Sequence, residues 1–268
     1  MENRKVTMIV STYNRPDALV LCLESIRNQR VLPDEVIVGD DGSGEETSRV
    51  IRQAQLDFPV PLRHIWHEDK GFRLAMMRNK CLAAARYDYI IQVDGDLILH
   101  PSFVADHLAF ARKGYYLKGG RVNLTRKKTE QLCTSGRYQR IHFFTRGLSR
   151  RINAIHQLSL ARYLAPRKRS APGLGANMSF WKEDVVKING YDEFFEGWGG
   201  EDWDFGVRMG HAGLKKLSLK FAAIVYHLWH TDKYMQNKEK NFDYYHQHQR
   251  DNVVRCEHGM DQYLNKTL

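Results

Sequence analysis

The first clear hydrophobic pattern is Lys5-Val6-Thr7-Met8-Ile9-Val10-Ser11-Thr12, a short β-rich run with apolar side chains at both odd and even positions. Such a run reads as a strand buried on both faces, as in a parallel sheet. Tyr13-Asn14-Arg15-Pro16 ends it, and Pro16 suits a first helical turn. Ala18, Leu19, Leu21, Cys22 and Ile26 then recur at helical spacing. The alternation repeats. Residues 35–39 make a second strand running into the turn Asp40-Asp41-Gly42-Ser43, and a helix follows over 45–55. A third strand occupies 61–66, an Ala-rich helix 74–86, and a fourth strand 89–93, which ends in Asp94-Gly95-Asp96. Downstream, the pattern predicts a helix over 102–112 and a strand over 115–120 closed by a Gly-Gly turn. A Gly-rich turn beginning at Ala171 leads into a strand ending at Trp181, and a helix follows over 182–188. Late strands are expected at 215–219 and 222–226, then an amphipathic helix beyond Thr231. Between about 121 and 172 short apolar groups are scattered among Arg and Lys, which reads as a helical and loop insertion with a basic face. Strands alternating with helices at this spacing imply an α/β fold: a mostly parallel central sheet flanked by helices.

Composition narrows the class without naming a function. The 268 residues are 43% hydrophobic and 27% charged, an ordinary globular balance. No apolar run approaches the roughly 20 residues needed to span a bilayer, and the opening residues have no signal-peptide core. Cys22, Cys81, Cys133 and Cys256 show no CxxC spacing, which suggests a reducing, cytoplasmic setting without a disulfide framework. The net charge of +10 is concentrated between Lys113 and Arg169, peaking at Arg167-Lys168-Arg169. That excess suits a solvated basic face, a nucleic acid, an anionic membrane surface or a phosphate-rich substrate.

Candidate chemistry gathers at strand ends, where open α/β sheets bind ligands. Those ends carry Thr12-Tyr13-Asn14, Asp40-Asp41 and Asp94-Gly95-Asp96. No GxGxxG follows the first strand and no GxxxxGK[ST] occurs, so the usual dinucleotide and P-loop grips are absent. Asp94-Gly95-Asp96 offers hard oxygen ligands suited to Mg²⁺ or Mn²⁺, and one histidine of His227-Leu228-Trp229-His230 could complete the sphere begun by Asp96. The densest stretch is Gly197-Trp198-Gly199-Gly200-Glu201-Asp202-Trp203-Asp204. Acids in a first helical turn are favoured by the helix dipole, but that alone leaves the two indoles and the paired glycines unexplained. An indole face suits a sugar ring, and a carboxylate beside it suits a general base.

Taken in order, VSTYNRP, VIVGDDGS, GFRLAMMRNKCLAAA and VDGD resemble the family 2 glycosyltransferases, which have the GT-A fold. The later GANMSFWKEDVVKINGYDEFFEGWGGEDWDFGVRMGHAG is similar to the galactosyltransferase-type module of β-1,4-galactosyltransferases and chondroitin-polymerase-like bacterial enzymes. The resemblance covers most of the chain except about 121–172. It implies one continuous Rossmann-like domain, with a nucleotide-sugar half over 1–120, the basic insertion over 121–172 and an acceptor and catalytic half over 173–268. Thr12, Tyr13 and Asn14, with Asp40 or Asp41, would line the uridine pocket. Arg73, with Arg78 near it, would face the base or diphosphate, and Asp94 the ribose or sugar. Asp96 would bind Mn²⁺ or Mg²⁺ with His227, or with His230 in its place. Asn177, Trp198 and Gly200 would shape the sugar and acceptor pockets. Asp202 would be the base, with Glu201 beside it. The expected activity is inverting transfer of a hexose of galactose, N-acetylgalactosamine or glucose type from a UDP-sugar to a saccharide or lipid-linked acceptor in surface polysaccharide synthesis. The expected location is cytoplasmic and peripheral, against an anionic inner membrane face. Other readings are a basic nucleic-acid-binding protein and a non-catalytic sugar-nucleotide-binding relative. Acids clustered at the strand ends, where backbone phosphates would be repelled, count against the first, and the intact acids at 94, 96, 201 and 202 against the second.

Overall fold

The computed structural model describes residues 4–165, 175–231 and 237–264. The basic peak Arg167-Lys168-Arg169, residues 171–174 of the Gly-rich turn and residues 232–236 lie outside the described residues.

The buried runs form the strands that their patterns predict. β1 (Val6–Thr12), β2 (Glu35–Asp40), β3 (Leu62–Trp66) and β4 (Tyr89–Asp94) are all parallel, in the spatial order β4-β1-β2-β3. The sheet continues through β9 (Asn177–Trp181) to β6 (Tyr115–Lys118) and β10 (Lys215–Ser218). Of its seven strands only β9 runs against the rest. Alternate residues of β1 enter different cores. Val6, Met8 and Val10 pack with α1 (Pro16–Arg27), α2 (Glu45–Gln55) and α4 (Phe103–Phe110). Ile9 on the opposite face packs with α3 (Leu74–Ala84), α7 (Lys182–Lys187) and α8 (Glu201–His211). The result is three layers, with helices on both sides of a sheet whose central strands β1, β2 and β4 are buried on both faces.

A second sheet departs from the sequence expectation. β5 (Leu97–Leu99), β11 (Ile224–His227), β7 (Gly120–Leu124) and β8 (Leu148–Ser149) pair in that order. Gly119 and Gly120 do not close a turn. Gly120 opens β7, and the chain passes almost directly from one sheet to the other. The segment read as helices and loops therefore supplies two strands as well as α5 (Arg126–Ser135) and α6 (Leu158–Leu164). Strands of two to five residues are too short to show a two-residue period, so the pattern could not distinguish them from loop. Among the described residues no helix is long and apolar enough to cross a membrane.

A buried charge network fixes α8. Asp204 and Arg208, one turn apart and both fully buried, pair at 2.6 Å. Arg208 also donates to the carbonyls of Ile188 (2.7 Å) and Gly190 (2.9 Å). His248, on α9 (Lys238–Arg250), contacts the other Asp204 oxygen at 2.7 Å. Removing one member leaves a buried guanidinium without its counter-charge, which typically costs about 3–5 kcal/mol. Asp204→Ala is accordingly expected to lower unfolding free energy by about that much, measured by urea denaturation. A loss under about 1 kcal/mol, the range of an exposed pair, would show that the network does not anchor α8.

Candidate active site

Register brings the polar strand ends to one edge. Thr12 pairs with Asp40 and Asp40 with Trp66, while Ser11 faces Asp94 across β1 and β4. Antiparallel β9 begins at the same edge, with Asn177 opposite Val93. At the β1–β3 end, the fully buried Asp40 accepts from the Ser43 N–H at 2.8 Å and lies 3.1 Å from His64 Nε2. Asp41 lies 2.6 Å from His67 Nε2 and accepts from the Arg73 N–H at 2.9 Å. Tyr13 donates to Asp69 at 2.8 Å. Asn14 takes up a left-handed backbone (φ 47), and its Oδ1 accepts from the Gly44 N–H at 3.0 Å. The Arg73 side chain donates to the Glu68 carbonyl. The two turns after β1 and β2 and the loop before α3 are thus tied into one rim.

The second corner is built by the second sheet. β11 runs antiparallel to β5, so His227 sits opposite Leu97, the residue after Asp96. The Leu228 N–H donates to the Asp96 carbonyl at 3.0 Å. His227 Nε2 and His230 Nε2 come within 3.5 and 3.4 Å of Asp96 Oδ2. Asp96 Oδ1 is buried without a hydrogen-bond partner among the described residues. Burial, foremost, lowers the His227 pKa, which favours the neutral imidazole that ligates metals. One carboxylate with an unsatisfied oxygen and two imidazoles form a donor set of the kind that holds a divalent metal ion. Arg15 also reaches Asp96 Oδ2, at 3.3 Å.

The third group centres on Arg78, which is almost wholly buried on α3. Its guanidinium meets Asp202 at 2.7 Å, Asp94 at 3.2 Å and Glu201 at 3.5 Å. Asp202 Oδ2 accepts from the Gly175 N–H at 2.8 Å. A Cβ on Gly175 would lie 1.9 Å from Asp202, so only glycine admits this approach. Gly200 caps α8 at φ 94, where a Cβ would strike the Phe195 ring at 2.6 Å. Burial, and then the charge of Asp202, raises the Glu201 carboxyl to about 8. Burial is also the main cause lifting Asp94 to about 6, against the opposing charge of Arg78.

Residues 7–159 match the family described as glycosyl transferase family 2. The chain belongs to this family. Residues 156–231 match a second description, the N-terminal domain of galactosyltransferase. The chain is 26% identical over 238 residues to a chondroitin synthase of Escherichia coli, covering 83% of this chain and 34% of the relative. It is 30% identical over 223 residues to a hyaluronan synthase of Pasteurella multocida, covering 76% of this chain and 22% of the relative. It therefore spans about a third or less of the length of these relatives. Among solved structures, Staphylococcus aureus TarS 1-349 in complex with UDP-GlcNAc matches with TM-score 0.60 at 16% identity, over 97% of this chain and 70% of that one. Mannosyltransferase PcManGT from Pyrobaculum calidifontis in complex with GDP-Man and Mn²⁺ matches with TM-score 0.58 at 17% identity, over 87% of this chain and 59% of that one. These structural likenesses establish the GT-A architecture.

The fold of the transferase brings Asp94, Asp96, Glu201, Asp202, His227 and His230 to one edge. Arg78, expected beside Arg73 at the nucleotide, instead turns its guanidinium to the three carboxylates. The Asn177 amide binds His107 and the carbonyls of Gly120 and Ala223, so this residue shapes the edge through its backbone position. Trp198 is half-buried with Lys238 above its ring. Trp203, read with it as a sugar platform, packs edge-on against Phe242 and Tyr245 of α9. Sequence reasoning passed over Arg15, although its neighbours Tyr13 and Asn14 were singled out, and Gly175, whose role depends on a residue 27 positions away.

The raised carboxyls give a signed pH dependence. An unfolded glutamate titrates near about 4.3, whereas folded Glu201 holds its proton to about 8. The folded state therefore binds the extra proton between these values, and stability falls as pH rises through them. Asp94 adds to the fall in the lower part of the window. The thermal midpoint of the wild type is expected to drop from about pH 5 to about pH 8.5, and Glu201→Gln should flatten that slope. Equal slopes for both proteins would refute the buried, protonated Glu201.

Proposed function

We propose that this transferase moves a hexose of galactose, N-acetylgalactosamine or glucose type from a UDP-sugar to a saccharide or lipid-linked acceptor, inverting the anomeric centre. The observation that carries the reading is the juxtaposition of a His-His-Asp donor set with three carboxylates around one buried arginine, at the carboxyl edge of the sheet. A UDP-GlcNAc complex of a protein with the same fold supports the donor class. In this reading Thr12, Tyr13 and Asn14, with Asp40 or Asp41, bound the uridine pocket, and Arg73 lies at its mouth. Asp96, His227 and His230 would hold Mn²⁺ or Mg²⁺, which when bound supplies a Lewis acid for the leaving diphosphate.

The protein's own groups carry the proton. Asp202 is oriented by Arg78 on one oxygen and by the Gly175 N–H on the other, and each oxygen keeps a further lone pair. Its side chain is 17% exposed against 11% for Glu201, so it is the better placed to meet an acceptor hydroxyl. Asp202 accepts that proton as the acceptor oxygen forms its bond to the anomeric carbon. The bond from that carbon to the UDP oxygen breaks on the opposite face, and the electron pair leaves with UDP. Glu201, protonated near neutral pH, donates to a sugar hydroxyl. Trp198 offers its ring face and Gly200 the close approach.

The deciding measurement is calorimetric titration of UDP, with and without Mn²⁺, into the wild type and Asp96→Ala. Metal-dependent binding in the wild type that disappears in the variant is the expected result; no UDP binding in any condition would overturn the donor assignment. With a competent UDP-sugar, Asp202→Asn is expected to lose about 10²- to 10⁴-fold in turnover while still binding UDP. Near-normal turnover would remove Asp202 from the role of base.

A further inference from the structure

A cleft of about 230 Å³ opens beside the candidate edge, and among the described residues its charged lining is cationic: Lys118, Arg121, Arg150 and Lys220, with no Asp or Glu. Among the described residues, Arg121, Arg150 and Lys220 form no ion pair. Like charges such as Arg121, Arg150 and Lys220 lining one cleft repel one another, and an anion between them relieves that repulsion. Arg150 adds a second sign. It holds a left-handed backbone (φ 52), a conformation rarely adopted outside glycine and asparagine. Backbone strain of this kind is a pointer to function when the side chain it carries lines a cleft.

The cleft adjoins the strands that position the candidate groups. Asn123, in its wall, pairs with His227 across β7 and β11. Ala176 and Asn177, on the other wall, directly follow Gly175, whose N–H holds Asp202. Asn177 also lies opposite Val93, next to Asp94. The cleft therefore lies beside the segments that carry the contacts of Asp202 and His227. Its volume falls below the roughly 300–1,000 Å³ of sites for drug-sized ligands, which suits one charged sugar residue better than a nucleotide.

We propose that this cleft is an acceptor subsite that seats a carboxylate or phosphodiester, so that the transferase extends an anionic glycan. The assignment rests on the transferase reading above, since it places the anion's sugar next to Asp202. Its chemistry is recognition of a fixed negative charge by guanidinium and ammonium groups, with arginine suited to bidentate contact with either anion. The acidic edge and the basic cleft then divide the work: one holds the donor's metal and the reacting hydroxyl, the other the acceptor's charge.

The test is titration of methyl β-D-glucuronide, glycerol phosphate and neutral methyl β-D-glucoside into the full chain, with and without saturating UDP and Mn²⁺. At least one anion is expected to bind about tenfold or more tightly than the glucoside, with UDP still bound. The paired substitution Arg150→Glu with Lys220→Glu should abolish that advantage, whereas Arg150→Lys with Lys220→Arg should keep most of it. Preference for the glucuronide identifies a carboxylate-bearing acceptor, and preference for glycerol phosphate a phosphodiester-linked one. The inference is overturned if neither anion outbinds the glucoside, or if UDP displaces the anion, which would make these cations part of the donor site. Titration of UDP alone tests the donor reading separately, so either conclusion can fail without the other.

Discussion

The site depends on one buried cation. Arg78 cannot shed its charge in a protein, and it is enclosed where an unpaired guanidinium would be heavily penalised. Its counter-charges come from the end of β4 and the first turn of α8, segments more than 100 residues apart in sequence. The folded state must therefore bring Asp94, Glu201 and Asp202 together, whether or not substrate is present. This is preorganisation in the physical sense: the ion pairs with Arg78 position the carboxylates as the chain folds. Three carboxylates around one cation cannot all remain ionised without excess negative charge. Glu201, the most desolvated by its surroundings, accommodates that excess by keeping its proton.

The histidine corner follows from a different constraint. His227 reaches Asp96 because β11 pairs antiparallel with the three residues of β5. The second sheet thus converts a distant segment into a neighbour of the aspartate turn. Its outer face buries Ile98, Val122, Leu124, Ile224 and Tyr226 with Leu132 of α5, so the corner stands on a packed support. The same sheet turns Asn123, beside His227, towards the basic cleft.

Much of this was legible in the chain because local pattern and tertiary role coincide. The runs beginning at Val6, Glu35 and Tyr89 are buried on both faces, and such strands declare themselves by unbroken apolar character. Polar residues at their carboxyl ends marked the site edge for the same reason. The second sheet was not legible: Leu97-Ile98-Leu99 and Gly120-Arg121-Val122-Asn123-Leu124 are too short for a period, and the paired glycines imitate a turn. The role of Arg78 was hidden because helix residues near a nucleotide motif and helix residues under a carboxylate cluster look alike in sequence. Trp203 falls in the first helical turn that the pattern expects at Glu201 and Asp202, but its indole turns to Phe242 and Tyr245 of α9, a contact with a distant segment that local pattern does not show.

The charge arrangement also bears on why a strongly basic protein has so acidic a site. Asp94, Asp96, Glu201 and Asp202 face the guanidiniums of Arg15 and Arg78, so acids outnumber these fixed cations at the edge. A diphosphate arriving alone would meet repulsion there. A cation would offset the carboxylates, and Asp96, His227 and His230 form a group that could hold one. The same repulsion works against a nucleic acid backbone, whose phosphates have no reason to follow the sheet edge. The net charge of +10 therefore describes the surroundings and not the catalytic edge. A basic frame draws anions towards a molecule over the range of the Debye length, whereas the carboxylates at the edge oppose an anion that carries no counter-charge of its own.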